Sequence, residues 1–245
     1  MNGVTRVANF LWGLWAWLCF ALACLVSLVV TLIIPGLHRR QRLVTFATKM
    51  IFVLAGVKVT VRGIDNLPTD SCVVVANHAS YIDGVLLNAY LPARFGFVIK
   101  GEMRDIPVVH FLLRRSGSKF VERTKISGSS RDARLLVRAA QDGESLGFFP
   151  EGTFLLEPGI GRFRPGAFVA AIKGDLPVVP IAILGSREMM PACRLLPRKT
   201  ELIVDILPAI GPGDDDFSSA RRLAEASRQS ILAVLDEPDL LADES

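Results

Sequence analysis

Asn77, His78, Ser80 and Asp83 follow directly on an apolar run of strand type, Cys72 to Ala76, and a helix is predicted to begin at Ser80. A strand-to-helix turn gathers backbone amides and polar side chains in one place. His78 and Asp83 are five positions apart, so on one regular helix they would not share a face. They meet if His78 lies in the turn and Asp83 in the first helical turn. An aspartate accepting one imidazole N–H would set the tautomer and leave the other nitrogen as a general base. Ser80-x-x-Asp83 is equally a capping box, which accounts for those two residues without any chemistry. It does not account for Asn77-His78.

Three further strand ends carry polar groups. Lys100-Gly101-Glu102 follows the run Phe95–Ile99; Gly117-Ser-Lys-Phe120-Val-Glu122-Arg123 is the next; Phe149-Pro-Glu151-Gly152-Thr153 is the last, with Phe163-Arg164-Pro-Gly166 beyond it. Singly, each has a plain explanation: Lys100 and Arg123 as solvated strand ends, Glu151 as a surface charge, Gly152 as a turn. Together they supply a base, cations for an anion, and a Gly-Thr turn with free amides. That inventory suits proton removal from a hydroxyl beside a phosphate, and it does not suit metal hydrolysis. His38, His78 and His110 are too few and too scattered for a zinc site of clustered His and Cys ligands.

The elements that must position these residues are readable from periodicity. Strand-like runs fall at 57–62, 72–76, 95–100, 119–122, 146–149, 178–184 and 201–207. Helical patterns fall at 82–89, 108–115, 130–141, 167–172 and 218–235. The alternation predicts an α/β fold with one mixed, mostly parallel seven-stranded sheet covered by helices on both faces. Gly211-Pro-Gly-Asp-Asp-Asp216 is a turn and cap before the last helix, and Asp236 to Ser245 reads as a frayed acidic tail.

Ahead of this lies a different composition. No Asp, Glu, Lys or Arg occurs between Arg6 and Arg39, and apolar residues make up 51% of the whole 245-residue chain, whose mean hydropathy is +0.40. As a helix, Phe10 to Ile34 would be roughly 37 Å long against about 30 Å of hydrocarbon, enough to span with tilt. Trp12, Trp15 and Trp17 sit toward one end, where indoles favour the headgroup boundary. A cleaved signal peptide is the competing reading, but the apolar run continues past its small residues to Pro35. Arg39, Arg40 and Arg42 outweigh Arg6, which puts the C-terminal side, and the catalytic domain with it, on the cytoplasmic face. Leu43 to Val57 is a second apolar segment, interrupted by Lys49, and reads as an in-plane membrane helix or as a core helix of the domain. The expected division is therefore 1–57, transmembrane or membrane-associated helices, and 58–245, the catalytic domain. A net charge of +4 fits anionic lipid or phosphate-bearing ligands; scattered basic residues without a recognition motif argue against nucleic acid. Cys19, Cys24, Cys72 and Cys193 form no CxxC pair and read as small buried hydrophobes in a reducing compartment.

At its four polar strand ends the chain resembles the glycerolipid acyltransferase family, typified by 1-acylglycerol-3-phosphate O-acyltransferases. Asn77-His78-Ala-Ser80-Tyr-Ile-Asp83 matches N-H-x-S-x-x-D, and Phe120-Val-Glu122-Arg123 with Gly117 ahead of it is similar to G-x-x-F-[IV]-[DE]-R. Phe149-Pro-Glu151-Gly152-Thr153 matches F-P-E-G-T, Val179-Pro180-Ile181 resembles V-P-[VI], and Lys100-x-Glu102-Met103 resembles K-x-E-L. The blocks come in family order between Lys58 and Ile210. The resemblance implies acyl transfer from acyl-CoA or acyl carrier protein to a membrane lysolipid, lysophosphatidate first, with no metal and no tightly bound cofactor. It assigns catalysis to His78 and Asp83, and substrate binding to Lys100, Phe120, Arg123, Glu151, Gly152 and Thr153. One departure stands out: many members follow E-G-T with Arg-Ser, whereas Phe154 follows here and the next arginines are Arg162 and Arg164. The head group of the acceptor is therefore open, another lysophospholipid or a lyso-amino-acid lipid being the alternative. Two rival classes remain. A serine esterase using Ser80 lacks a G-x-S-x-G turn, and a non-catalytic lipid tether leaves the polar strand ends unexplained.

Overall fold

Every residue of Val73–Ala76 is excluded from solvent, because this strand lies mid-sheet with helices over both of its faces. Val73 and Val75 point into one apolar cluster; Cys72, Val74 and Ala76 point into the other, as the two-residue period of a strand requires. The computed structural model describes residues 3–121, 126–153, 157–191 and 193–242. In chain order its elements are α1 (Gly3–Ile33), α2 (Leu37–Leu54), β1 (Val59–Arg62), β2 (Val73–Ala76), α3 (Asp83–Tyr90), β3 (Gly96–Lys100), α4 (Pro107–Arg115), β4 (Lys119–Val121), α5 (Ile126–Gln141), β5 (Leu146–Phe148), α6 (Gly166–Gly174), β6 (Val178–Leu184), α7 (Ser186–Met189), β7 (Leu202–Ile206) and α8 (Ala220–Leu232).

The strands form one sheet in the order β1-β7-β6-β2-β5-β3-β4. β6 and β7 pair antiparallel; the other described neighbours are parallel. This is the mixed, mostly parallel sheet that the alternating pattern predicts. Residues of α5, α6 and α8, among them Leu136, Phe168, Leu223 and Ile231, cover one face, while Phe52 of α2 with Leu86 and Leu87 of α3 cover the other. Arg228, on α8, is 1% exposed inside the first layer.

Pro35-Gly36 reverses the chain between α1 and α2, Gly36 taking φ +83°. The hairpin is closed at its far end by tryptophans. The Trp12 indole donates to Ala55 O and the Trp15 indole to Leu54 O, each at 2.9 Å, and so satisfies last-turn carbonyls of α2. Trp17 donates to Leu195 O at 2.8 Å. The Trp12 and Trp15 indoles are therefore structural caps as well as amphipathic surface, a use that spacing along one helix does not reveal. Leu43 to Val57 packs one face into the domain, with Val44, Ala47 and Phe52 buried, and leaves Phe46, Val53 and Leu54 exposed. Among the described residues one helix, Thr5–Ile33, is long and apolar enough to cross a membrane. Its exposed Phe10, Leu14, Leu18, Leu22 and Leu25 make an apolar surface that suits membrane association.

Two expectations need correction. Cys19 and Cys72 are buried, but Cys193 is exposed on the segment after α7. The C-terminal residues 236–242 are not frayed: they lie against 159–161, with Ile160 N–H donating to Pro238 O at 3.1 Å and Leu240 N–H to Ile160 O at 3.2 Å. The acidic composition that suggested a solvated tail instead supplies partners for Arg187 and Arg228.

Candidate active site

Parallel pairing brings the polar strand ends to one edge of the sheet. Val75 of β2 lies opposite Phe148 of β5, so counting onward puts His78 level with Glu151. Ile99 of β3 lies opposite Phe120 of β4, which places Lys100 and Val121 side by side at the same carboxyl edge. Ligands on sheets of this kind collect at that edge.

The turn after β2 is tightly held. Asn77 is 3% exposed and its amide spans to β6, accepting from Ile183 N–H at 2.7 Å and donating to Ile183 O at 3.0 Å. Ser80 donates its hydroxyl to Met190 O at 2.6 Å. Asp83 is fully buried at the start of α3, and its Oδ2 gathers three contacts: His78 Nδ1 at 2.9 Å, and the amides of Ala79 and Ser80 at 2.7 Å each. One carboxylate thus ties down the turn amides ahead of α3 and partners the imidazole; the full capping box is not formed, because α3 begins at Asp83 itself without a side-chain cap. An ionised carboxylate only accepts, so Nδ1 carries the proton and Nε2 is the basic nitrogen. The ring is stacked on Phe149, centroids 4.3 Å apart at 22°, which fixes its plane. Phe149 had only a motif to recommend it; its role as the platform for His78 depends on β5 lying beside β2.

Glu151 ties the two strand ends together. Its Oε1 accepts from His78 N–H at 2.8 Å and its Oε2 from Gly161 N–H at 3.4 Å. Burial pushes its carboxyl up to about 6; the amide donors of His78 and Gly161 offset part of that, and Glu237 adds to it. A folded-state value above the ordinary one means the protonated form is favoured by folding. This contribution to stability is complete below about pH 4.5 and is lost as pH rises through about 6. The stability difference between Glu151→Gln and the parent should therefore move in the variant's favour across that window, by on the order of 1–2 kcal/mol, on top of a pH-independent cost where the carboxamide nitrogen faces an amide donor. Urea midpoints of both proteins between pH 4.5 and 7.5 give the difference directly, and parallel curves would disprove the shift.

The remaining residues singled out from sequence divide. Gly152, at φ +85°, donates its N–H to Phe149 O at 3.0 Å, so this amide closes the turn and is not the free donor the sequence suggested. Thr153 is exposed beside it. Lys100 pairs with Glu102 at 2.7 Å, both largely solvated, an arrangement worth at most about 1 kcal/mol and easily exchanged for another anion. Phe120 is 8% exposed and acts as a wall, with the Arg104 guanidinium 5.7 Å above its ring and His110 edge-on at 4.9 Å. Arg104 also donates to Phe120 O at 2.8 Å and is a cation at this edge that motif spacing did not single out. Glu122 and Arg123 lie outside the described residues.

Comparison with known proteins bears on family and fold. The family model described as Acyltransferase matches residues 58–184. A chloroplastic 1-acyl-sn-glycerol-3-phosphate acyltransferase of Brassica napus is 29% identical over 71% of the chain, which spans 54% of that relative's length. A lyso-ornithine lipid O-acyltransferase of Pseudomonas aeruginosa is 30% identical over 81% of the chain and 70% of the relative. The crystal structure of the 1-acyl-sn-glycerophosphate acyltransferase PlsC from Thermotoga maritima superposes with a TM-score of 0.77 at 22% identity, covering 92% of this chain and 94% of that one, a likeness of fold.

Proposed function

The chain belongs to the acyltransferase family, and from that premise we propose that it transfers a fatty acyl group from a thioester, acyl-CoA or acyl carrier protein, to the free hydroxyl of lysophosphatidate. The observation that carries this reading is the imidazole of His78, held between the Asp83 carboxylate at 2.9 Å and the face of Phe149. Nε2 removes the acceptor's hydroxyl proton as that oxygen attacks the thioester carbonyl. The tetrahedral oxyanion collapses with cleavage of the C–S bond, and the imidazolium returns its proton to the leaving thiolate. Asp83 stabilises the imidazolium through the step. Lys100 and Arg104 are the described cations at the edge for the negative charges of the reactants.

Arg123 is the proposed ligand of the acceptor phosphate, its planar fork matching phosphate oxygens. Arg123→Ala is expected to raise the acceptor KM at least tenfold with a smaller change in kcat; unchanged kinetic constants would remove it from this role. Residues 1–57 serve as the membrane attachment and 58–245 as the catalytic domain, with Arg39, Arg40 and Arg42 marking the cytoplasmic side.

A second acceptor class is favoured by particular observations. Phe154 stands where many family members carry an arginine after E-G-T, and the Pseudomonas relative is named for a lyso-ornithine lipid. Purified protein with one acyl-CoA and a panel of lysophosphatidate, zwitterionic lysophospholipid and lyso-ornithine lipid decides between them. Acceptor-dependent thiol release highest with lysophosphatidate is the expected result. Release without any acceptor would mean an esterase, and no release would leave only lipid binding.

A further inference from the structure

Residues 236–242 lie beyond the family match and outside every motif, yet they hydrogen-bond to the segment that supports the base. The connections are consecutive. Glu237 Oε2 accepts from Gly159 N–H at 2.9 Å. Ile160 is paired on both its main-chain groups, to Pro238 and Leu240, and is 1% exposed. Gly161 N–H donates to Glu151, and Glu151 accepts the His78 N–H. Gly161 O accepts from Arg228 Nε at 3.1 Å, and the same guanidinium pairs with Asp239. The far side is anchored as well: Arg187, just after β6, makes a two-pronged pair with Glu237 at 2.9 and 3.0 Å. Gly159 permits the approach, since a Cβ there would stand 2.6 Å from Leu240 and its φ is +132°.

A terminal segment held by ion pairs is ordinarily only a fold staple. Two features here go further. The segment grips Gly159 and Ile160, and the next residue, Gly161, shares the Glu151 carboxylate with His78. In addition, Asp236 and Glu237 line the same cavity of about 100 Å³ as Ala79 and Ser186, so the segment and the base-bearing turn face a common space.

We propose that the C-terminal segment 236–242 is a working part of the active site, with Glu237 a positioning residue that acts through Gly159–Gly161 and Glu151 to hold the His78 main chain in register. This rests on His78 being the base, as proposed above. The segment contributes no reacting group. What it supplies is a fixed loop, and misplacement of a catalytic group by about 1 Å costs up to roughly 10²-fold in rate.

The test uses full-length Glu237→Ala and Glu237→Gln in the same detergent or lipid system as the parent, with steady-state kinetics and peptide-level hydrogen exchange. Glu237→Ala is expected to lower kcat by roughly 10- to 100-fold with little change in acceptor KM, and to speed exchange at 77–83 as well as at 157–163. Glu237→Gln, which still accepts from Gly159 N–H, is expected to recover part of both. A fold staple alone would loosen 157–163 and lower the melting temperature while leaving kcat and 77–83 untouched, and that result overturns the proposal. Hydrogen exchange needs no turnover. If the parent transfers to no lysolipid, the functional reading fails, and exchange at 77–83 alone decides whether the segment reaches the His78 turn.

Discussion

Replacing His78 with alanine is expected to lower kcat by about 10²–10⁴-fold while leaving a folded protein. Two arguments set that expectation. General-base assistance is worth this much where the base is oriented beforehand, and His78 is oriented on two sides, by Asp83 and by Phe149. The structural cost is modest because Asp83 keeps its other two donors, the Ala79 and Ser80 amides, when the ring is removed. The same geometry predicts that Asp83→Ala is the poorer probe. It strands two buried N–H groups, each costing about 1–3 kcal/mol, so lost activity would be mixed with lost fold. Steady-state transfer assays combined with thermal melts separate the two variants. An alanine variant of His78 that turns over within a few-fold of the parent would end the base assignment.

Arg228→Ala is expected to have the largest effect on stability, about 3–5 kcal/mol, although the residue lies far in sequence from any motif. Arg228 is 1% exposed and holds Gly161 O, Glu225 and Asp239 at once. Removing it leaves the part-buried Gly161 carbonyl without its partner and Asp239 without its counter-charge, and the C-terminal segment loses its anchor on α8. A chemical-denaturation midpoint measured against the parent tests this, and a change below about 1 kcal/mol would show that water replaces the guanidinium at no cost. A lysine there would keep the charge but not the three-way fork, so it should recover only part of the loss.

These two residues differ in how readable they were. His78 and Asp83 announced themselves because strand, turn and helix start are consecutive in sequence, and local geometry is enough to bring them together. Arg228 reads as one more cation on an amphipathic helix; its burial depends on Asp239 folding back over α8, and Asp239 looked like part of a solvated acidic tail. The Gly152 amide was misjudged for a related reason. A Gly-Thr turn with free amides and a turn closed onto Phe149 O have the same composition, and only the backbone path distinguishes them.

By itself the sequence determined the alternation of strands and helices, the apolar N-terminal pair, and the polar groups that each strand carries to its end, since all of these follow from periods of two or 3.6 residues and from adjacency along the chain. Tertiary structure alone decided that β5 lies beside β2, and hence that Phe149 stacks on His78 and Glu151 holds its main chain; that the indoles of α1 cap α2; and that residues 236–242 close over 159–161. Those partners stand tens of residues apart, and no local pattern records them, because each contact is chosen by the order in which strands pair and by the surfaces left to be covered once they have.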